Sequence, residues 1–199
     1  MVNNFYEIVK KVNSMTNSQV RAQVILLLLE TDREGVNDLI KFLLDSDFFK
    51  MPASTKWHLP EEGGLARHSL SVYNFFKHIL IELGVFDTHK NSIVLSALLH
   101  DVCKHDSYKL VEDKWKYNQT DDNRHAQKSI NIITKLINLK SIEEKMIKYH
   151  MGIYMTTEFL AGSTYATPEY SLNDMSIAFD SDLAKLMHFA DNLSSIYGM

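Results

Sequence analysis

The sequence predicts an all-α protein: its 199 residues contain only three prolines and seven glycines, and apolar residues recur at helical rather than alternating spacing. The third pointer is size. A chain of this length buries roughly 70% of the surface its unfolded form exposes, so it needs no metal or disulfide merely to fold. A composition 45% hydrophobic and 23% charged excludes a disordered or low-complexity chain. The one cysteine, Cys103, excludes an internal disulfide and a Cys-rich zinc module and fits a reducing compartment. Lys and Arg number 21 against 25 Asp and Glu, so no global basic field draws in long nucleic acid, although a local basic groove stays open.

The first helix is expected over 3–13, with Phe5, Ile8, Val9 and Val12 on one face. A second follows a cap near Asn17 through VRAQVILLLLE, and a third starts at Asp32. Pro52 and Pro60 make 50–63 a loop. Helical periodicity resumes at Gly64 and runs to Leu83. The next helix, NSIVLSALLHD, ends near Asp101 and is apolar nearly all round, which places it at the centre. SYKLVEDKWKYNQ alternates around a polar turn and predicts a short β-hairpin. Helices return at 122–138 and 142–150, the latter with Ser141 and Glu144 in a capping-box pattern. Residues 152–176 read as a long loop, and a final helix after Asp180 carries Leu183, Leu186, Met187, Ala190 and Leu193 on its core stripe. The longest strongly apolar stretch, Val24 to Leu29, is too short for a membrane span. The N-terminus MVNNFYEIVKKVNSM lacks the features of a signal peptide, so a cytoplasmic location without membrane attachment is expected.

Some polar residues do not fit a plain core. His100 and Asp101 directly follow the apolar run VLSALL, His68 lies one helical turn from both Leu65 and Val72, and Asp191 shares the arc of Met187 and Leu183. A carboxylate on a buried face is costly unless it is paired or binds a metal. Each has a plain alternative: the helix surfaces at Asp101, and the histidines are satisfied core residues. Taken together, two imidazoles and two carboxylates on three helices suit a divalent first-row metal or Mg²⁺, while the lack of thiolates argues against a closed structural zinc site. His125 and His150, at helix ends, are candidates for a second metal position.

The ordered set His68, His100-Asp101 and Asp191 resembles the H…HD…D signature of the HD-domain superfamily of metal-dependent phosphohydrolases. GGLARHSLSV is similar to that family's first motif, and LSALLHDVCK to its second, with Lys104 as the matching lysine. The resemblance covers about residues 56–197. It implies an HD helical bundle over 51–199, with the helices of 1–50 packed on it in a single structural domain. It also implies that His68, His100, Asp101 and Asp191 bind metal, and that the Asp of the pair bridges two ions where a second is held by His125 and His150. One or two divalent ions are expected, drawn from Mn, Mg, Fe, Ni, Co and Zn. Two departures stand out: Val102-Cys103 replaces the usual small pair before the lysine, and YHMGIY lacks the GYP motif of the cyclic-di-GMP-hydrolysing branch. The context of the first motif, with Trp57-His58 upstream, is more similar to the HD module of bacterial 3′–5′ exoribonucleases, whose additional oligonucleotide-binding domain is not expected here.

The substrate implied is a phosphorylated small molecule or short oligonucleotide, its oxygens neutralised by metal and by Lys104, Arg124 or Lys128, with His58 as a further contact. Asp101 and Lys104 are the candidate catalytic residues. Trp57, Tyr108, Trp115, Tyr117, Tyr154 and Tyr165 are candidates to stack a base or, equally, to pin down their own loops. Alternatives are a nuclease on longer single strands, a noncatalytic nucleotide-binding domain and a di-iron oxygenase. The sequence assigns no oligomeric state.

Overall fold

In the structure, a computed structural model, residues 2–118, 125–162, 168–178 and 181–198 are described. Among them nine α-helices and one hairpin follow in order: α1 Val2–Asn13, α2 Asn17–Leu29, α3 Val36–Asp45, α4 Gly64–Glu82, α5 Phe86–Leu99, β1 Tyr108–Val111, β2 Lys114–Tyr117, α6 His125–Ile133, α7 Ser141–Lys148, α8 Leu172–Ala178 and α9 Asp182–Tyr197. The fold is all-α, as expected. Helices α4 and α5 form its centre. Every residue of α4 from Gly64 to Tyr73 is buried, as is every residue of α5 from Ser92 to Leu99; the α5 segment is apolar nearly all round, whereas α4 buries Arg67, His68, Ser69 and Ser71 among its apolar residues. Helices α1, α2 and α9 pack on α4, while α2 and α7 pack on α5.

Several boundaries move for identifiable reasons. The cap of α2 is Thr16, not Asn17: the Thr16 hydroxyl accepts the Gln19 N–H at 3.2 Å and the Gln19 side chain accepts the Thr16 N–H at 2.8 Å. Asn17 instead accepts from Arg67 Nη2 at 2.8 Å. Helix α3 starts at Val36, because Asp32 (φ 48°) and Gly35 (φ 81°) are left-handed. A Cβ on Gly35 would lie 2.0 Å from the Leu136 carbonyl oxygen, so glycine is required there. Helix α5 begins five residues earlier than the apolar run implied, at the buried Phe86. Helix α6 stops at Ile133, where the N–H groups of Leu136 and Ile137 both turn back to its carbonyl, each at 2.9 Å. The expected Ser141–Glu144 box is absent; Glu143 instead accepts the Lys140 N–H at 2.7 Å. The loop after 152 contains a 3₁₀ turn, Gly152–Met155, and the start of α8.

The hairpin forms around Glu112 and Asp113, both left-handed at φ 52° and 58°. Two such residues make the primed turn that matches strand twist. Tyr108 and Tyr117 pair across it with ring centroids 5.8 Å apart.

Candidate metal centre

The ends of α5, α6 and α7 and the faces of α4 and α9 meet at one place. Helix α5 stops at Leu99, and Asp101 leaves helical geometry at φ −107° and ψ 17° to enter a 3₁₀ turn over Val102–Asp106. That break keeps His100 and Asp101 adjacent yet aims both inward. Helix α4 contributes His68, α9 contributes Asp191, α6 opens with His125, and His150 follows the end of α7. His68, His100, Asp101, His150 and Asp191 are all buried.

The hydrogen-bond pattern decides which nitrogens face the centre. His100 Nδ1 meets the Ala97 carbonyl at 2.9 Å, and His150 Nδ1 meets the Ile147 carbonyl at 2.6 Å. A carbonyl only accepts, so both Nδ1 atoms carry the proton and both Nε2 lone pairs point inward. Ser194 Oγ lies 3.4 Å from the His68 carbonyl and 3.0 Å from His68 Nδ1. Its hydroxyl proton goes to the carbonyl and its oxygen accepts from the ring, leaving His68 Nε2 as an acceptor too. Yet His68 Nε2 is 3.0 Å from Asp191 Oδ1 and 3.3 Å from His100 Nε2. Acceptors converging this closely call for a cation among them.

Asp101 divides its two oxygens. Oδ2 lies 3.4 Å from His100 Nε2, 3.9 Å from His68 Nε2 and 2.7 Å from Lys104 Nζ. Oδ1 faces His150 Nε2 at 3.6 Å and His125 Nε2 at 3.8 Å, and it is buried without a hydrogen-bond partner. His125 and His150 approach each other at 3.3 Å. Donor atoms bound at about 2.0–2.2 Å to one first-row ion stand about 3 to 3.5 Å apart, and the donor atoms here lie 3.0 to 3.9 Å apart. Three groups could each hold an ion: His68, His100 and Asp101; His100, His150 and Asp191; and Asp101, His125 and His150. The residues therefore fit one or two divalent cations.

Electrostatics sharpen the picture. Burial would raise the Asp101 pKa, but the Lys104 ammonium, 2.7 Å from Oδ2, outweighs it and holds the carboxyl well below its usual range. Burial likewise opposes ionisation of Asp191, yet the surrounding His68, His100 and His150 rings bring its pKa down. Burial pushes His125 down to about 3, and His68 down as well. Burial also disfavours charge on Lys104, but Asp101 wins and its pKa is raised. The centre at neutral pH thus presents ionised carboxylates, neutral His68 and His125, one ammonium, and a His150 whose pKa, against the effect of burial, Asp101 raises.

The other expected contacts are placed variously. His58 lies against His68, its ring tilted 47° to that of His68 with centroids 4.8 Å apart. Lys104 also reaches the Ala53 carbonyl at 3.3 Å. Lys128 bonds Asp106 at 2.9 Å, and Arg124 and Tyr165 lie outside the described residues. Two participants escaped the sequence reading. Glu169 accepts the Ala126 and Gln127 N–H groups at 3.3 and 3.2 Å, so it caps α6, and lies 3.6 Å from His125 Nδ1. Nothing local marked it. Ser194 was findable, since it stands one helical turn after Asp191. His188, three residues before Asp191, supports the centre through His150: its Nδ1 contacts the His150 carbonyl at 2.5 Å.

The family model of the HD domain matches residues 65–196. A 65-residue stretch is 37% identical to a dihydroneopterin 2′,3′-cyclic phosphate phosphodiesterase of Methanocaldococcus jannaschii, covering 31% of this chain and 26% of that protein. No solved structure matches the chain.

Proposed function

This chain belongs to the HD-domain family, and on that premise we propose that it is a metal-dependent phosphohydrolase cleaving a phosphoester of a nucleotide or short oligonucleotide by attack of an activated water. The observation that carries the proposal is the division of Asp101, one oxygen toward the His68 and His100 pair and the other, unpartnered, toward His125 and His150. In this reading His68, His100, Asp101 and Asp191 hold the first ion, and Asp101, His125 and His150 the second. We assign the catalytic core to residues 51–199 and treat the helices of 1–50 as packing on it.

When bound, the ions neutralise phosphoryl oxygens and lower the pKa of a water for attack on phosphorus. The protein supplies position and charge. Asp101 stays ionised well below its usual range, which makes it an orienting acceptor rather than a strong base. Lys104 keeps its proton and brings an ammonium to the phosphate side of Asp101. His58, which burial and His68 push down to about 3, stays neutral and offers one N–H and one lone pair to the substrate. The phosphodiesterase likeness supports a small phosphodiester, and the motif context around His68 is the reason short oligonucleotides stand beside mononucleotides.

The test is product release from mono-, di- and triphosphates, cyclic nucleotides, dinucleotides and short RNA and DNA, each with Mn²⁺, Mg²⁺, Co²⁺ and Ni²⁺. Turnover that disappears in Asp101→Ala is expected; nucleotide binding without turnover by any member would make the chain a binding module. One observation favours longer strands as a second reading. Lys109 and Lys116 stand directly opposite each other, and Lys114 shares their face, with no ion pair among the described residues. Paired like charges are unfavourable unless an anion joins them. Degradation of long strands that falls steeply with salt, with inert mononucleotides, would favour that reading.

A further inference from the structure

The segment before α4 is better built than a connection needs to be. The Ala53 N–H bonds the Leu59 carbonyl at 3.1 Å, and the Gly63 N–H bonds Lys50 at 2.9 Å. Ser54 Oγ accepts from the N–H groups of both Lys56 and Trp57 at 3.2 Å. Lys104, at the metal centre, closes onto the Ala53 carbonyl. Leu59 is held at φ 45°, a conformation that a bulky L-residue adopts only when its surroundings impose it, and its side chain is buried. These restraints fix the two residues between them in opposite senses. Trp57 is turned outward, 76% exposed, and His58 is turned inward against His68.

Both ring nitrogens of His58 are buried and have no hydrogen-bond partner. A buried polar group left so is costly and wants an explanation. His58 also lines a cavity of 580 Å³ together with Lys56, Trp57, Pro60 and Arg67. That volume lies within the range of small-ligand sites. The Arg67 guanidinium is already committed to the Val12 and Met15 carbonyls and to Asn17, so it serves as a wall. The cavity thus runs from an imidazole that touches the metal centre to an exposed indole face, with Lys56 beside it.

We propose that this cavity receives the non-reacting part of the substrate, and that this part is a planar aromatic nitrogen heterocycle stacked on Trp57, with His58 bonding the sugar–phosphate portion between the indole and the centre. The inference rests on the reading of the centre as a phosphohydrolase site and narrows its substrate class. An indole face accepts any flat π-system of suitable size, so the pocket selects for a heterocycle more than for one particular base.

The test separates binding from turnover. In a Trp115→Phe background, where Trp57 is the remaining tryptophan, the metal-loaded protein is titrated with adenosine, guanosine, uridine, neopterin and AMP, and with ribose 5-phosphate as the probe without a ring. Quenching of Trp57 by at least one ring-bearing probe, and none by ribose 5-phosphate, is expected. By calorimetry, Trp57→Ala should weaken the ring-bearing probes about five- to one-hundred-fold without changing ribose 5-phosphate, and Trp57→Phe should restore most of the loss. Equal affinity in Trp57→Ala and the parent, equal weakening of ribose 5-phosphate, or no quenching by any probe overturns the pocket. Nucleosides carry no phosphate to release, so their binding without turnover of any phosphoester supports the pocket while refuting the phosphohydrolase reading. Asp101-dependent turnover indifferent to Trp57 does the reverse.

Discussion

Glu143 and Asp101 are both buried carboxylates beside α5, with side chains 0% and 3% exposed, yet their surroundings differ in kind. Arg33 grips both oxygens of Glu143, at 2.7 and 3.1 Å, the Ser92 hydroxyl donates at 2.8 Å, and the Lys140 N–H at 2.7 Å. Arg33 also reaches the Asn138 carbonyl, so α5, α7 and the turns on either side are tied through one ion pair. Asp101 has Lys104 on one oxygen and no hydrogen bond on the other, only lone pairs of imidazoles more than 3 Å away. A carboxylate whose every acceptor site is filled is an element of structure; one left partly open among converging nitrogens is a ligand in waiting. The comparison also shows that burial alone does not identify a site.

The largest test of this contrast removes the charge on the open carboxylate. Asp101→Asn is expected to lower phosphohydrolase activity by about a thousand-fold or more, because the several kcal/mol of transition-state stabilisation supplied by the ions depends on it. Its metal-free stability should fall by less than that of Glu143→Gln, because Asp101 accepts from Lys104 alone, whereas Glu143 accepts from Arg33, Ser92 and the Lys140 N–H together. Urea unfolding in chelator, beside kinetics with Mn²⁺, measures both; a large loss of metal-free stability would make Asp101 structural.

The filled carboxylate should behave in the opposite way. Glu143→Gln leaves Arg33 without its partner and is expected to cost about 3–5 kcal/mol of stability, with metal bound per folded molecule unchanged. Burial would raise the Glu143 pKa, but Arg33, the Lys140 N–H and Ser92 prevail and lower it. A folded pKa below the unfolded one contributes stability that is complete above the ordinary glutamate range and is lost as pH falls through the folded value. The urea midpoint of the parent should therefore drop with acid more steeply than that of Glu143→Gln; parallel curves would remove Glu143 from the account.

A smaller effect separates the two halves of the centre. Glu169→Gln should weaken binding of a second Mn²⁺ about 10- to 100-fold by freeing the His125 ring, while the first ion binds as before. Calorimetric titration resolves the two events, and an equal loss at both would show that Glu169 merely supports the fold. The smallest effect concerns Cys103, beside Asp101 but buried, whose thiol burial pushes up to about 12. Iodoacetamide at pH 8 should leave it unmodified until urea unfolds the chain; prompt labelling of folded protein would mean that the core beside the centre opens readily.

What could be read from the sequence was what each element says about itself. Helical spacing set His68 among Leu65 and Val72 and Asp191 among Met187 and Leu183, and alternation around Glu112-Asp113 marked the hairpin. The start of α3 was misplaced because Gly35 answers to a carbonyl from Leu136, and the box at Ser141 because Glu143 answers to Arg33. Those partners lie about a hundred residues away, beyond the reach of any periodicity.

The sequence by itself determined the all-α class, the central place of α5 and the order of the candidate ligands, because apolar period and helix-breaking residues act over one or two turns. Only the tertiary structure decided which lone pairs converge, how Asp101 shares its oxygens, that Glu169 stands behind His125, and that a strained loop turns Trp57 out and His58 in. Such facts depend on the mutual placement of distant segments at hydrogen-bond precision, and that placement is settled when the helices pack, since a shift of even one residue along a helix turns a side chain about 100° away from its partner.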